Sequence, residues 1–149
     1  IVRGTTLKES IIRMLARLQP KRIIIVSSSP QIRYPDCYGI DMSKMGDFIA
    51  FNAVVSLIKE KGKESFLKEL FEKCKELQRN DQLHTENIVK QVYKQFTNEE
   101  ISARIARLVT PPGVNIPVDV IFQTCINLVP ITWATGTLPA TILHRAAIE

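Results

Sequence analysis

The chain has 149 residues, of which 45% are hydrophobic and 23% charged, a composition typical of an ordinary soluble globular domain. The net charge is +5, but acidic and basic residues alternate along the same stretches, which argues against a nucleic-acid-binding surface. Three cysteines without a C-x-x-C pair exclude a zinc ribbon and argue against a disulfide framework. We find no membrane-length apolar run and expect a cytoplasmic protein with no membrane partner.

The first predicted element is a helix that follows the turn Arg3-Gly4-Thr5-Thr6. Thr6 and Glu9 have the spacing of a capping box, and Pro20 stops the helix. The apolar residues that recur at helical spacing are Leu7, Ile11, Leu15 and Leu18, with Ile12 beside them.

A short β-branched run, "RIIIVSS" over residues 22–28, comes next. Such a run without alternation predicts a strand buried on both faces of a parallel sheet. A helix leading into a buried strand is the back half of a β-α-β unit, and we expect the front strand to precede Ile1. Ser27, Ser28 and Ser29 end the strand, either as ligand-binding hydroxyls or simply as residues that end strands.

Helices dominate the middle of the chain. Residues 29–46 are predicted as a loop, and apolar stripes predict helices over 47–58, 66–77 and 88–96. Thr97 and Glu100 form a second capping box, which opens a helix that ends at Pro111. The alternation in residues 118–123 predicts a late strand, and the fold class is therefore α/β.

The turn before the first helix has the chemistry of a phosphate site. Backbone N–H groups at a helix N-terminus favour an anion, glycine permits close approach, and threonine hydroxyls donate further hydrogen bonds. Arg3 can supply positive charge. The alternative is that Gly4, Thr5 and Thr6 only begin a helix.

Other candidate residues are weaker. Asp41 either caps the next helix or accepts from a ligand, and His84 is predicted to be a surface histidine. No nucleophile–base pair or metal-ligand cluster is evident, and we assign no catalytic or metal-binding residue. The three cysteines and the single tryptophan have no partners that single them out: Cys37, Cys74, Cys125 and Trp133.

Two motifs, "IVRGTT" and "SSPQIRYPDCYGIDM", resemble the amidophosphoribosyltransferase family. The resemblance implies the back half of a type I phosphoribosyltransferase, a Rossmann-like parallel sheet, followed by C-terminal helices and a late strand. It is close over residues 1–50, which would be the end of the phosphoribosyltransferase core. We expect a helical extension over 51–125 and an atypical tail over 126–149.

The resemblance implies a role in purine biosynthesis, where the family forms 5-phosphoribosylamine from phosphoribosylpyrophosphate and glutamine. Arg3, Gly4, Thr5 and Thr6 match the loop that holds the 5′-phosphate. The aspartate pair that grips the ribose, the Mg²⁺ site and the glutaminase domain would lie before this chain. We therefore expect a fragment that is inactive alone, whose partners in the complete enzyme are phosphoribosylpyrophosphate, purine nucleotides and further copies of itself.

Some members of the family carry an iron–sulfur cluster, with a cysteine ligand in a motif like P-C-F-Y-G-I-D. Here Asp36 occupies the ligand position and Cys37 the phenylalanine position, and no C-x-x-C follows. We expect no iron–sulfur cluster, because such clusters need thiolate ligands.

Two other interpretations stay open. The chain could be a non-catalytic nucleotide- or phosphate-binding regulatory module descended from the enzyme, or a truncated product without a function of its own.

From about residue 126 the sequence lacks periodicity, and Arg145 is its only charge before Glu149. A shifted reading frame would restore a motif typical of related chains, so we expect this tail to be a frameshifted translation.

Overall fold

The computed structural model describes residues 1–35, 43–82 and 87–123, which share one hydrophobic core. A π-helical turn, Leu7–Ile11, runs directly into helix α1, and a 3₁₀ turn, Met45–Asp47, precedes α2. The remaining bounds are α1 Ile12–Ala16, β1 Ile23–Ser27, α2 Ile49–Glu60, α3 Glu64–Arg79, α4 Ile88–Tyr93, α5 Asn98–Val109 and β2 Val118–Phe122. The α/β class, the helices of the middle and the late strand are thereby confirmed.

The two strands form a parallel sheet, in which Ile23 lies opposite Val118 and Ser27 opposite Phe122. The rungs between them bring Ile25 opposite Val120, on the face that the helices cover. Helix α5 packs directly against β2 and, on its other side, against α2. Helix α5 therefore connects the sheet to α2.

Helix α5 begins as the sequence predicts. The Thr97 hydroxyl accepts a hydrogen bond from the Glu100 N–H, and the Glu100 carboxylate accepts one from the Thr97 N–H at 2.9 Å. Ile101, Ile105 and Val109 are fully buried on the face that this cap orients toward the core. The second capping box is therefore confirmed.

The first predicted capping box is wrong. Thr6 has helical backbone angles and its side chain caps nothing, while Glu9 pairs with Arg13 at 3.2 Å. A Thr6 cap would start the helix at Leu7, but the helical backbone begins two residues earlier, at Thr5, because the left-handed Gly4 turns the chain into the helix before Thr6.

The predicted stripe of the first helix is also wrong in part. Ile12 is fully buried, whereas Ile11 is 37% and Leu18 77% exposed. Ile11 ends the π-helical turn, which departs from regular helical spacing, and Leu18 lies beyond the end of α1.

In the described part of the chain, strand β1 is covered on one face, which corrects the expectation of a strand buried on both faces. Ile24 is 55% exposed and Val26 71%, and Ile121 of β2 lies on the same face. Within residues 1–35, 43–82 and 87–123, the helices lie against the opposite face, where Ile23 and Val120 are buried.

No helix in the described part of the chain is long and apolar enough to cross a bilayer. The boundaries at residues 50 and 125 stay predictions, and the tail from residue 126 lies outside the described residues.

The cap of α5 predicts a pH-dependent contribution to stability. The backbone hydrogen bond from Thr97, and then the hydrogen bond from Lys61, hold the pKa of Glu100 below its ordinary 4.5. A lowered carboxyl pKa stabilises the fold above the pKa of the unfolded chain, and this contribution disappears as pH falls through the folded pKa. We expect E100Q to lower the Tm at pH 7, and the difference from the unsubstituted chain to shrink below about pH 4.5.

Thermal unfolding followed by circular dichroism from pH 7 to pH 3 measures this difference. The matched control is E64Q, which removes a carboxylate from the first turn of α3, where no side chain caps the helix. A Tm difference for E100Q that stays constant down to pH 3 would contradict the assigned role.

Candidate functional site

The turn at residues 3–6 is attached to the first residue of α2. The Val2 carbonyl accepts a hydrogen bond from the Ile49 N–H at 2.8 Å. Gly4 follows in the left-handed region, with φ +74°. From there the chain enters the first helix, whose earliest backbone bond in the described residues joins the Lys8 N–H to the Gly4 carbonyl at 3.0 Å.

Only glycine fits at position 4. A Cβ there would lie 2.5 Å from Ile49 Cδ1 and 2.9 Å from Val109 Cγ1, which are both closer than van der Waals contact allows. Ile49 and Val109 are both buried and belong to different helices, α2 and α5. The turn is therefore packed against the core on one side, and its backbone position is set by two helices.

Thr5 and Thr6 occupy the opposite, solvent-facing side of the turn. Both are exposed, and each is followed by the helix, so their N–H groups belong to the first turn, where no intrahelical carbonyl is available. The partial positive charge at a helix N-terminus favours an anion at this position. The arrangement presents N–H groups and two hydroxyls to solvent, which is the donor set that a phosphate requires.

Arg3 adds a positive charge beside these donors. Its Nη2 lies 3.6 Å from Asp47 Oδ2, and the two side chains are 43% and 45% exposed. Asp47 ends the 3₁₀ turn that precedes α2, so the ion pair joins the turn at residues 3–6 to α2 a second time.

The resemblance implies magnesium, but the residues of this turn do not fit a magnesium site. Mg²⁺ requires oxygen ligands, mostly carboxylates and waters, whereas the turn offers N–H donors, a guanidinium and Asp47, which is already paired with it. Among the described residues, no three His, Cys, Asp or Glu side chains form a metal-binding group. The donors of this turn suit an anion better than a cation.

The serines after β1 bond to one another. The Ser27 hydroxyl donates to the Ser29 carbonyl at 3.0 Å and accepts from the Ser29 N–H at 3.4 Å. Ser27 is buried, and its hydroxyl is used to close this local turn. The geometry favours strand ending over ligand binding for Ser27 and Ser29.

The segment that follows, which carries part of the family motif, is anchored to α4 and α5. The Gln31 side chain donates to the Asn98 carbonyl at 2.9 Å and to the Ser102 hydroxyl at 2.8 Å. The buried Tyr93 hydroxyl donates to the Arg33 carbonyl at 3.0 Å, and burial raises its pKa above the usual range. These contacts give the motif a structural role.

A groove of about 1350 Å³ lies between this segment, α4, α5 and β2, and none of the residues 3–6 lines it. Its charged lining is mostly basic, with Glu99 and Asp119 as the acids. The basic lining residues are Arg22, Arg33, Lys90, Lys94 and Arg107. The groove and the turn at residues 3–6 are thus separate places in the molecule.

Several candidates lie outside the described residues: Asp36, Cys37, Asp41, His84, Cys125 and Trp133. The iron–sulfur expectation falls on this part of the chain and stays a prediction. Cys74 is a half-buried free thiol on α3.

Sequence reasoning missed Asp47. It was assigned only to the start of a helix, and nothing in its neighbourhood links it to Arg3, which lies 44 positions earlier by residue number. Gly4 signals close packing against a distant part of the chain, which the structure shows to be Ile49 and Val109, but it does not point to Asp47.

Parts of the chain are similar in sequence to curated amidophosphoribosyltransferases. The Haemophilus influenzae enzyme is 45% identical over 60 residues, which cover 40% of this chain and 12% of that enzyme. The Pasteurella multocida enzyme is 45% identical over 58 residues, 39% of this chain and 11% of the enzyme. The Escherichia coli enzyme is 42% identical over 60 residues, 40% of this chain and 12% of the enzyme.

The resemblance inferred from the two motifs is thereby confirmed over about 40% of this chain. The matched stretch spans only about 12% of the length of the curated relatives. No family model matches the chain, and no solved structure matches it.

The packing of Gly4 gives a testable prediction. We expect G4A to destabilise the chain by about 2–3 kcal/mol, because the new methyl group meets Ile49 and Val109 and the left-handed backbone disfavours alanine. Chemical denaturation measures the loss. The matched control is G62A, where φ is +66° but no atom lies within 4 Å, so only the backbone cost of about 1 kcal/mol remains.

A second substitution separates clash from backbone strain. I49V removes Cδ1, the atom nearest to the new methyl group, and we expect it to restore part of the stability lost in G4A. Equal losses in G4A and G62A, or no rescue by I49V, would contradict the packing argument.

Proposed function

We propose that this chain carries the 5′-phosphate-binding part of an amidophosphoribosyltransferase site, with Arg3, Gly4, Thr5 and Thr6 as the binding residues. The observation that carries the proposal is the position of Thr5 and Thr6, exposed at the start of a helix whose entry is fixed by Gly4. The similarity to curated amidophosphoribosyltransferases supports the same assignment.

The turn would bind a phosphate through directed hydrogen bonds. The N–H groups of the first helical turn and the two threonine hydroxyls donate to phosphate oxygens, and the helix dipole favours the negative charge. Arg3 contributes positive charge at the edge of the turn. Since Gly4 is held by α2 and α5, these donors need little rearrangement when the ligand arrives.

The role of such a turn in the reaction would be positional. Displacement at the anomeric carbon of phosphoribosylpyrophosphate occurs at the far side of the ribose from the 5′-phosphate. Binding energy from this non-reacting phosphate can hold the sugar in the orientation that the attack requires. The residues of the chain that we assign here therefore bind and orient the substrate, and they take no part in bond making.

Titration calorimetry with ribose 5-phosphate tests the proposal on the unsubstituted chain. We expect binding of ribose 5-phosphate and none of ribose, because the phosphate supplies the recognised group. The double variant T5V/T6V should weaken binding about tenfold or more, since each valine removes a hydrogen bond to a charged ligand while keeping side-chain shape.

The control variant is S10A, which removes an exposed hydroxyl one turn further along the same helix. Circular dichroism confirms that each variant retains its helical content. Absence of ribose 5-phosphate binding by the unsubstituted chain, or equal binding by T5V/T6V, would refute the assignment.

We expect the residues of this sequence not to supply the reaction by themselves. They contain no pair of adjacent aspartates to hold the ribose hydroxyls and no catalytic residue that we can assign. We expect no phosphoribosylamine above the protein-free background when the chain is incubated with phosphoribosylpyrophosphate, ammonia and Mg²⁺. A complete amidophosphoribosyltransferase provides the positive control, and measurable product from this chain would contradict the expectation.

A second candidate function is a regulatory module that binds a nucleotide without catalysis. The basic lining of the groove between β2, α4 and α5 favours an anionic ligand there. Titration with AMP and GMP distinguishes the two functions. Nucleotide binding that T5V/T6V leaves unchanged would support the module, because the turn at residues 3–6 does not line this groove.

A further inference from the structure

We infer that Asp47 is a positioning residue for Arg3, holding its guanidinium at the turn where the phosphate binds. The inference rests on the function proposed above, and it assigns a role to a residue outside the two motifs that carry the resemblance.

The contact itself joins Arg3 Nη2 to Asp47 Oδ2 at 3.6 Å. Exposed ion pairs of this kind contribute little free energy, because both side chains lose rotational freedom when the pair forms. The cost is smaller here, because the backbones of both partners are already held close to each other. The Ile49 N–H bonds to the Val2 carbonyl, one residue before Arg3, and Ile49 itself follows Asp47 by two residues.

The backbone of Asp47 is held in place by its neighbours. Its N–H donates to the Lys44 carbonyl at 3.1 Å within the 3₁₀ turn, and the next residue, Phe48, is fully buried. The carboxylate also lies just before the N-terminus of α2, where the helix dipole favours a negative charge. The backbone position of Asp47 is therefore set by the core, and its carboxylate is a fixed partner for the Arg3 guanidinium.

Anchoring Arg3 has a consequence for phosphate binding. An arginine on an exposed turn loses rotamer freedom when it binds an anion, which subtracts from affinity. An ion pair that already restricts the side chain removes part of this loss. Asp47 also repels a phosphate through its own charge, but at an exposed site this repulsion is screened by salt. If Asp47 mainly positions Arg3, D47N weakens phosphate binding. If it mainly repels the phosphate, D47N strengthens that binding.

The test is ribose 5-phosphate affinity, measured by titration calorimetry in D47N, R3Q and the double variant. We expect D47N to weaken binding about threefold to fivefold, the range that an exposed ion pair can supply. In the R3Q background, D47N should have no further effect, because Asp47 acts only through Arg3. D47E, which restores a carboxylate, should recover part of the affinity.

The matched control is E72Q, which breaks another exposed ion pair, that of Glu72 with Lys75 on α3, away from the turn and from the groove. We expect E72Q to leave ribose 5-phosphate affinity unchanged.

The outcomes separate the two proposals. No ribose 5-phosphate binding by the unsubstituted chain would overturn the proposed function. If that binding is present, D47N that binds equally or more tightly would overturn the positioning role alone. Weakening by D47N that persists in the R3Q background would also overturn it, because a merely structural residue would act independently of Arg3.

Discussion

The close approach of Gly4 to two helices is the constraint on which the rest of the site depends. There is no room for a side chain between the backbone at position 4 and the side chains of Ile49 and Val109. Because the glycine is left-handed at this point, the chain reverses directly into a helix, and Thr5 and Thr6 are carried to its exposed first turn. Packing on the buried side of the turn thus determines which donors appear on the solvent side.

Helix α5 connects this turn to the sheet. Its last residue, Val109, contacts the Gly4 position, and the same helix packs against β2 and α2. Its first turn is fixed by the reciprocal hydrogen bonds of Thr97 and Glu100. A change that loosens this helix would therefore act at a distance on the turn at residues 3–6, through packing alone and without contact with a ligand.

Local signals in the sequence predicted local structure well, and non-local contacts poorly. The Thr97–Glu100 box and the alternation of β2 were identified correctly, because each depends on residues within one turn or one strand. The same box pattern at Thr6 and Glu9 failed, since the helix starts earlier through packing of Gly4 against residues more than 40 positions away. The exposed face of β1 was missed for a related reason: a β-branched run has no alternation to show which face the helices cover. The turn at residues 3–6 lies at a helix start, as the sequence predicts, and its phosphate-binding role stays a proposal. Its partner Asp47 carried no sequence signal.

The position of the turn explains how binding can be separated from chemistry in such a chain. A phosphate is recognised by N–H groups, hydroxyls and positive charge, all of which a single glycine turn and helix start provide. Bond breaking at the anomeric carbon needs groups placed around the ribose, and the charged residues near the turn are already committed to each other, as Arg3 is to Asp47. The first requirement is met by a few consecutive residues held by two helices, whereas the second depends on several distant segments. In the function proposed here, anion recognition is therefore the part that falls to these residues.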